Sequence, residues 1–363
     1  MQHEIESKFL DFARARAVGD DVGVAVRSGR FSALPNQAAP DLFGSVDMLY
    51  AAHILGKLDE ISDASGRAAW LEHILSYQDE DGWFRSRDKQ SHGVEHATAY
   101  ALGGLQILAG QNGDMLARGM KPLRGLQSEI AREPGRSIAP FDLTLLDRVH
   151  FWRGSHRVGG LAAIVGTIDE FGLSGEKYLG IASPRDWLDG WWAYFAERVE
   201  APTGYWTMAP LPLQMAFDTL YRFRHNPKLA SMGGAVHLYW VSEKMRAPMP
   251  HPRALIPATI DLMEPTGLYE NEPYCIDLDG NFLIGRALSY LEPDHELEAT
   301  AREALAVNRD AVLTWFASRP HDAWKPNSHA LPGALAAVAE ADRTLMNGSP
   351  PRWRDIFETT WWL

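Results

Sequence analysis

Tyr77-Gln78-Asp79-Glu80-Asp81-Gly82-Trp83-Phe84 follows one helical pattern and leads into another, and its glycine–aromatic centre returns at Thr203-Gly204-Tyr205-Trp206 and Thr266-Gly267-Leu268-Tyr269. The three glycines lie 122 and 63 residues apart, two units and one unit of a period near 60. The copy due near residue 143 is occupied by Phe141-Asp142-Leu143-Thr144, a degenerate match. A turn that recurs between helices predicts stacked helical hairpins, which gather side chains from distant parts of the chain on one rim.

The apolar spacing agrees with hairpins. In Ser183-Pro184-Arg185-Asp186 a serine cap, a first-turn proline and an acid at the third helical position open a helix whose Trp187, Trp191, Trp192 and Phe195 share one face. Trp70, Leu71, Ile74 and Leu75 repeat the spacing, and 296–318 is long, Ala-rich and free of breakers. Strand signals are sparse. Helices with a polar face are expected near 4–17, 66–77, 115–132, 184–198, 254–263 and 296–317, each followed by a more uniformly apolar one near 44–57, 94–109, 156–172, 233–245, 279–291 and 329–343. A helix that is apolar all round belongs inside and an amphipathic one faces solvent, so the second set is expected within a ring of the first. The predicted fold is all-α, a single-domain (α/α)6 toroid over residues 1–363.

The stretch at 77–84 resembles the Gln-to-Trp turn of the terpenoid cyclase and prenyltransferase toroids, with one full copy and two partial ones. The resemblance implies the same fold and a structural role for Gln78 and Trp83, which would tie successive hairpins together. The Asp-x-Asp-Asp run of class II terpenoid cyclases is not intact here: Asp279 is followed by Gly280 and Asn281, and Glu80-Asp81 lies within the turn.

Composition removes other classes. With 363 residues, 46% hydrophobic and 23% charged, the chain can bury a large core. A net charge of −12 without a Lys/Arg run argues against nucleic acid as a partner. No apolar run reaches the eighteen residues of a membrane span. Met1-Gln2-His3-Glu4-Ile5-Glu6 lacks the apolar core of a secretory signal, which predicts a cytoplasmic location. Cys275 is the only cysteine, so neither an intramolecular disulfide nor a Cys-rich zinc site is expected. Gly-x-Gly-x-x-Gly, the P-loop and the Gly-x-Ser-x-Gly elbow are all missing. No cofactor is expected. The remaining chemistry is what acidic and basic side chains do alone: glycoside cleavage, uronide elimination, sugar epimerisation or cationic cyclisation.

The candidate site lies at the starts of the second helices. His92-Gly93-Val94-Glu95-His96, Ser155-His156-Arg157, Cys275-Ile276-Asp277-Leu278-Asp279 and Ser328-His329 occupy corresponding places in four hairpins, where free N–H groups and positive dipole ends stabilise carboxylates and ligand oxygens. Asp277 or Asp279 is the expected general acid or base, with His96 and His156 as the second acid/base pair. His92, Glu95, Arg157, His329, Trp83, Trp152, Trp206, Tyr269 and Glu270 are the expected substrate contacts, the aromatics as stacking faces. Each has a structural alternative: Asp277 and Ser328 can cap helices, Glu95 can be a first-turn acid, and Arg157 can pair with an acid. His92 and His96 share a helix face, but no glutamate follows His92, so the zincin motif is missing and no metal is expected. Asp277-Leu278-Asp279-Gly280-Asn281 starts like a calcium loop, yet Phe282 and Leu288 stand where that loop needs Gly and Glu.

Three readings follow: a carbohydrate-active hydrolase, lyase or epimerase acting on a small or oligosaccharide substrate, a terpenoid-cyclase-like enzyme, and a non-catalytic binding toroid. Trp353, Phe357 and Trp361 lie four apart, which predicts a final helix docked on the barrel or on a second subunit of a homodimer.

Overall fold

The computed structural model describes residues 1–86, 92–110, 112–131, 145–222, 227–325, 327–346 and 351–363. Among these the protein is all-α, with no β-strand and two isolated bridges, Ala17 to Phe31 and Gln78 to Phe84. No described helix is long and apolar enough to cross a membrane.

Six helices are buried over most of their length: Leu42–Ile54, Val94–Ala109, Phe151–Glu170, Pro227–Lys244, Cys275–Ser289 and Ala330–Leu345. Each packs against the next, and the last packs against the first. Amphipathic helices lie outside these: Ala64–Leu75 on Val94–Ala109, Pro184–Ala196 on Phe151–Glu170, Pro252–Ile260 on Cys275–Ser289, and His295–Ala317 on Ala330–Leu345. Gln2–Arg16 packs on His295–Ala317, so the first and last outer helices meet. Ser183 caps its helix through a 3.3 Å bond from Asp186 N, and Trp187, Trp191, Trp192 and Phe195 are buried as their spacing requires.

The three recurrent turns share one geometry. Gly82, Gly204 and Gly267 have φ of 88°, 73° and 85°, a region that costs other residues strain. In each, the side chain before the glycine accepts from the N–H two residues on: Asp81 from Trp83 at 3.1 Å, Thr203 from Tyr205 at 3.2 Å and Thr266 from Leu268 at 3.4 Å. Gln78 joins neighbouring hairpins by donating to Gly82 O and Lys121 O, at 2.8 and 2.9 Å, and accepting from Lys121 N at 2.7 Å. The degenerate copy at 141–144 lies outside the described residues.

Three features depart from the sequence reading. The helix expected at 115–132 is two, Gly113–Gly119 and Arg124–Ala131, because Pro122 lacks the N–H that would continue the ladder. Three buried helices begin four or more residues earlier than expected, at Phe151, Pro227 and Cys275, since their first turns carry aromatic or polar residues that dilute the apolar signal. The segment 353–363 docks on the six helices but is not a helix; it contains only the 3₁₀ turn Ile356–Glu358. Its Trp353 and Trp362 are fully buried, and Phe357 lies against Trp240 and Phe282.

Candidate functional site

Each of the six buried helices carries an ionisable group: Asp47, His96, His156, His237 and Asp279 within them, and His329 as an N-cap. The histidines converge. Ring centroids are 4.5 Å apart for His92 and His96, 4.6 Å for His96 and His156, 4.8 Å for His156 and His237, and 5.0 Å for His92 and His329. Phe43 packs against His92, His96 and His329. His96 and His237 are buried, whereas His92, His156 and His329 are partly exposed.

Behind this cluster stands Asp47, fully buried in the helix Leu42–Ile54. Its carboxylate accepts from Tyr100 Oη at 2.7 Å, Ser328 Oγ at 2.5 Å and His329 Nδ1 at 2.9 Å. Three donors satisfy a charge whose burial would otherwise be prohibitive. On the other side Trp362 donates its indole N–H to His96 Nδ1 at 3.1 Å and stacks on His237 with centroids 4.7 Å apart. Tyr50 Oη holds the Trp362 carbonyl at 2.6 Å. His237 Nδ1 and Ser155 Oγ are 2.7 Å apart.

Three of the imidazoles are held toward the neutral form. Burial pushes His96 and His156 well below the ordinary histidine value and His237 down to about 3, and the neighbouring imidazoles add mutual repulsion. His96 Nε2 is buried without a hydrogen-bond partner among the described residues.

Asp277 and Asp279 part company. The Asp277 carboxylate accepts from Tyr269 N at 3.2 Å, Tyr274 N at 3.1 Å and Asn308 Nδ2 at 2.8 Å, so it ties the turn at 266–269 to two helices. Burial raises it to about 6, against the pull of those three donors. Its geometry is that of a helix cap, the structural alternative named for it above. Asp279 shares a helix face with Phe282 and Arg286, which meet the segment 353–363. Neither of its oxygens has a partner among the described residues, and the buried Tyr269 hydroxyl has none either. Burial, then Asp277, pushes Asp279 well above the carboxylate range.

A raised acid binds its proton more tightly in the folded state, so its contribution is complete at low pH and is lost as pH rises from the unfolded value of 3.8 toward the folded one. Asp279→Asn is therefore expected to gain on wild type as pH rises, with an advantage at pH 8 that shrinks toward acid by no more than about 1.4 kcal/mol per pH unit. Urea titrations at pH 4.5, 6 and 8 measure it; an advantage that does not vary with pH would mean the carboxyl is solvated.

The aromatic residues expected as stacking faces are buried among other side chains. Trp83, Trp152, Trp206 and Tyr269 are buried: Trp152 lies on Gly233, Trp206 in a cluster with Trp192, Phe195 and Tyr239, and Tyr269 on Gly280, where a Cβ would come within 2.2 Å of the ring. Arg157 Nε faces Glu95 at 3.5 Å, the ion-pair alternative, and Glu270 is half-buried at the end of its turn. Sequence reading missed Asp47, Tyr100, His237 and Trp362. The available signal was a lone Asp within Leu42–Ile54 and a lone His within Pro227–Lys244, since a polar group inside a helix apolar all round must have a buried partner.

Among the described residues, His92, His96 and His329 bring three ligand nitrogens within 4.8 Å of one another. Tetrahedral zinc sets its nitrogens about 3.4 Å apart. The indole proton of Trp362 already engages Nδ1 of His96. No protein-family model, no curated protein and no solved structure matches the chain.

Proposed function

We propose that the six buried helices are the inner ring of an (α/α)6 toroid of the terpenoid cyclase and prenyltransferase type, and that its histidine-lined interior is the active site of a carbohydrate-processing acid–base enzyme. The observation that carries this reading is the convergence of five imidazoles on or beside successive buried helices, one of them, His96, with a buried Nε2 that has no partner among the described residues. An unmade bond of this kind costs roughly 1–3 kcal/mol, and a substrate rich in hydroxyls offers the missing partner. In this reading the clustered imidazoles give and take the proton. Within this class, an epimerase or isomerase suits the residues better than a glycosidase, which places two free carboxyls across the scissile bond. Here Asp277 is committed to the backbone.

The terpenoid reading keeps one supporting observation: an uncharged, buried Asp279 on the same helix face as Phe282, beside the Tyr269 ring, is the kind of acid that protonates an alkene. A panel of aldoses, ketoses, disaccharides and prenyl diphosphates, followed by ¹H NMR, separates the two. Turnover of a sugar that falls by about 10²–10⁴-fold in His329→Ala is the expected result. Turnover of a prenyl diphosphate alone would replace the carbohydrate reading.

A further inference from the structure

Hydrogen bonds hold two of the imidazoles in opposite tautomers. An indole N–H only donates, so the 3.1 Å bond from Trp362 makes Nδ1 of His96 the acceptor. The proton of the neutral ring is then on Nε2, the buried atom without a partner. A carboxylate only accepts, so the 2.9 Å bond to Asp47 makes Nδ1 of His329 the donor, and whenever that ring is neutral its lone pair is on Nε2. The two rings lie 5.6 Å apart, centroid to centroid, at 87°. One presents an N–H and the other a lone pair.

This pairing suits one kind of proton transfer. A substrate with a carbonyl next to an acidic C–H needs a base at the carbon and a donor at the oxygen where charge develops. We infer that the substrate of this site is an open-chain hydroxy-carbonyl, the reactive form of a reducing sugar, and that its α-proton is taken by His329 while His96 holds the oxygen. The inference rests on the acid–base reading above and narrows it. His329 Nε2 removes the proton, the C–H electron pair becomes the C=C bond, and the carbonyl π pair moves to oxygen, which accepts a hydrogen bond from His96 Nε2–H. Collapse of the enediolate reverses the electron flow. The proton on His329 returns to the same carbon or, after a proton shift between the two oxygens, to its neighbour. Nothing is oxidised or reduced overall, and no co-reactant is consumed. An imidazole kept neutral serves as the donor without first becoming cationic. Trp362 is a positioning residue, acting through the tautomer of His96. The same indole bond argues against a metal on Nε2 of His96, because that nitrogen already carries the proton.

Two measurements test this. Long-range ¹H–¹⁵N spectra of histidine-labelled protein read tautomers without any substrate: Nε2–H is expected for His96 and Nδ1–H for His329. Trp362→Phe keeps the ring packing but removes the donor, and is expected to release His96 to a tautomer mixture with an unchanged far-UV circular dichroism spectrum. Aldoses and ketoses in D₂O should exchange the α-hydrogen, and Trp362→Phe should lower kcat at least tenfold with little change in KM. His96 in the Nδ1–H form, or an unaltered His96 spectrum in Trp362→Phe, would overturn the positioning role. Sugar cleavage or elimination without deuterium uptake would overturn the carbonyl inference while leaving the acid–base reading in place. Absence of exchange across the panel also overturns it, as would cobalt(II) bands that vanish in His96→Gln.

Discussion

Arg286→Ala is expected to cost about 3–5 kcal/mol of folding stability, the range for breaking a buried ion pair. Arg286 is 9% exposed and grips Glu340 with two bonds, 2.9 Å from Nε and 2.8 Å from Nη2. The same guanidinium bonds Asp355 and reaches Glu243 at 3.2 Å. Burial and the Glu340 charge raise Asp355, while Arg286 and Arg343 hold Glu340 low despite its burial. Removing Arg286 leaves two buried acids facing each other with only Arg343, at 2.9 Å from Glu340, to compensate. Arg286→Lys keeps the charge but loses the planar fork, and about half the loss is expected. Urea midpoints measure both. A cost below about 1 kcal/mol would show that the network is solvated.

Asp47→Asn is expected to lower turnover by a factor on the order of 10³–10⁴, about as much as removing His329, because an amide can present its N–H₂ to His329 and reverse the tautomer. The side chain is nearly isosteric: Ser328 can still donate to the remaining oxygen, and the Tyr100 hydroxyl, which shares the other position with His329, can turn to accept from the amide, so folding should be retained. Asp47→Ala, by contrast, leaves the Tyr100 and Ser328 hydroxyls buried without their acceptor and is expected to lower stability by about 1–3 kcal/mol as well. Deuterium uptake into a substrate sugar, with the His329 tautomer read by ¹⁵N shifts, measures the Asn effect. A loss under tenfold with a reversed tautomer would remove Asp47 and His329 from the mechanism.

Local rules made much of this legible. The left-handed glycines at 82, 204 and 267 and the alternation of amphipathic with apolar helices were readable because both depend on neighbours within a few residues. The histidines at helix starts were readable for the same reason. The division between Asp277 and Asp279 was legible in principle: residues two apart on a helix point about 200° away from each other, so the two acids were never going to face one partner. Asp47 and His237 were hidden because their partners, Ser328 and His329 for the one and Ser155 and Trp362 for the other, come from remote hairpins and from 353–363. Nothing in Trp353, Phe357 and Trp361 distinguishes a docked helix from an irregular segment lying on the six helices, since both bury aromatic rings.

That segment also sets a timetable. Tyr50 meets Trp362 across 312 residues, and Glu6 meets Arg352 across 346. Contacts of such sequence separation are entropically expensive to close and tend to form late in folding. Until they form, Trp362 is away from His96 and the proton of that imidazole is free to sit on either nitrogen. The chain thus couples completion of its topology to the placement of one proton: a partly folded molecule would carry His96 with that placement unsettled.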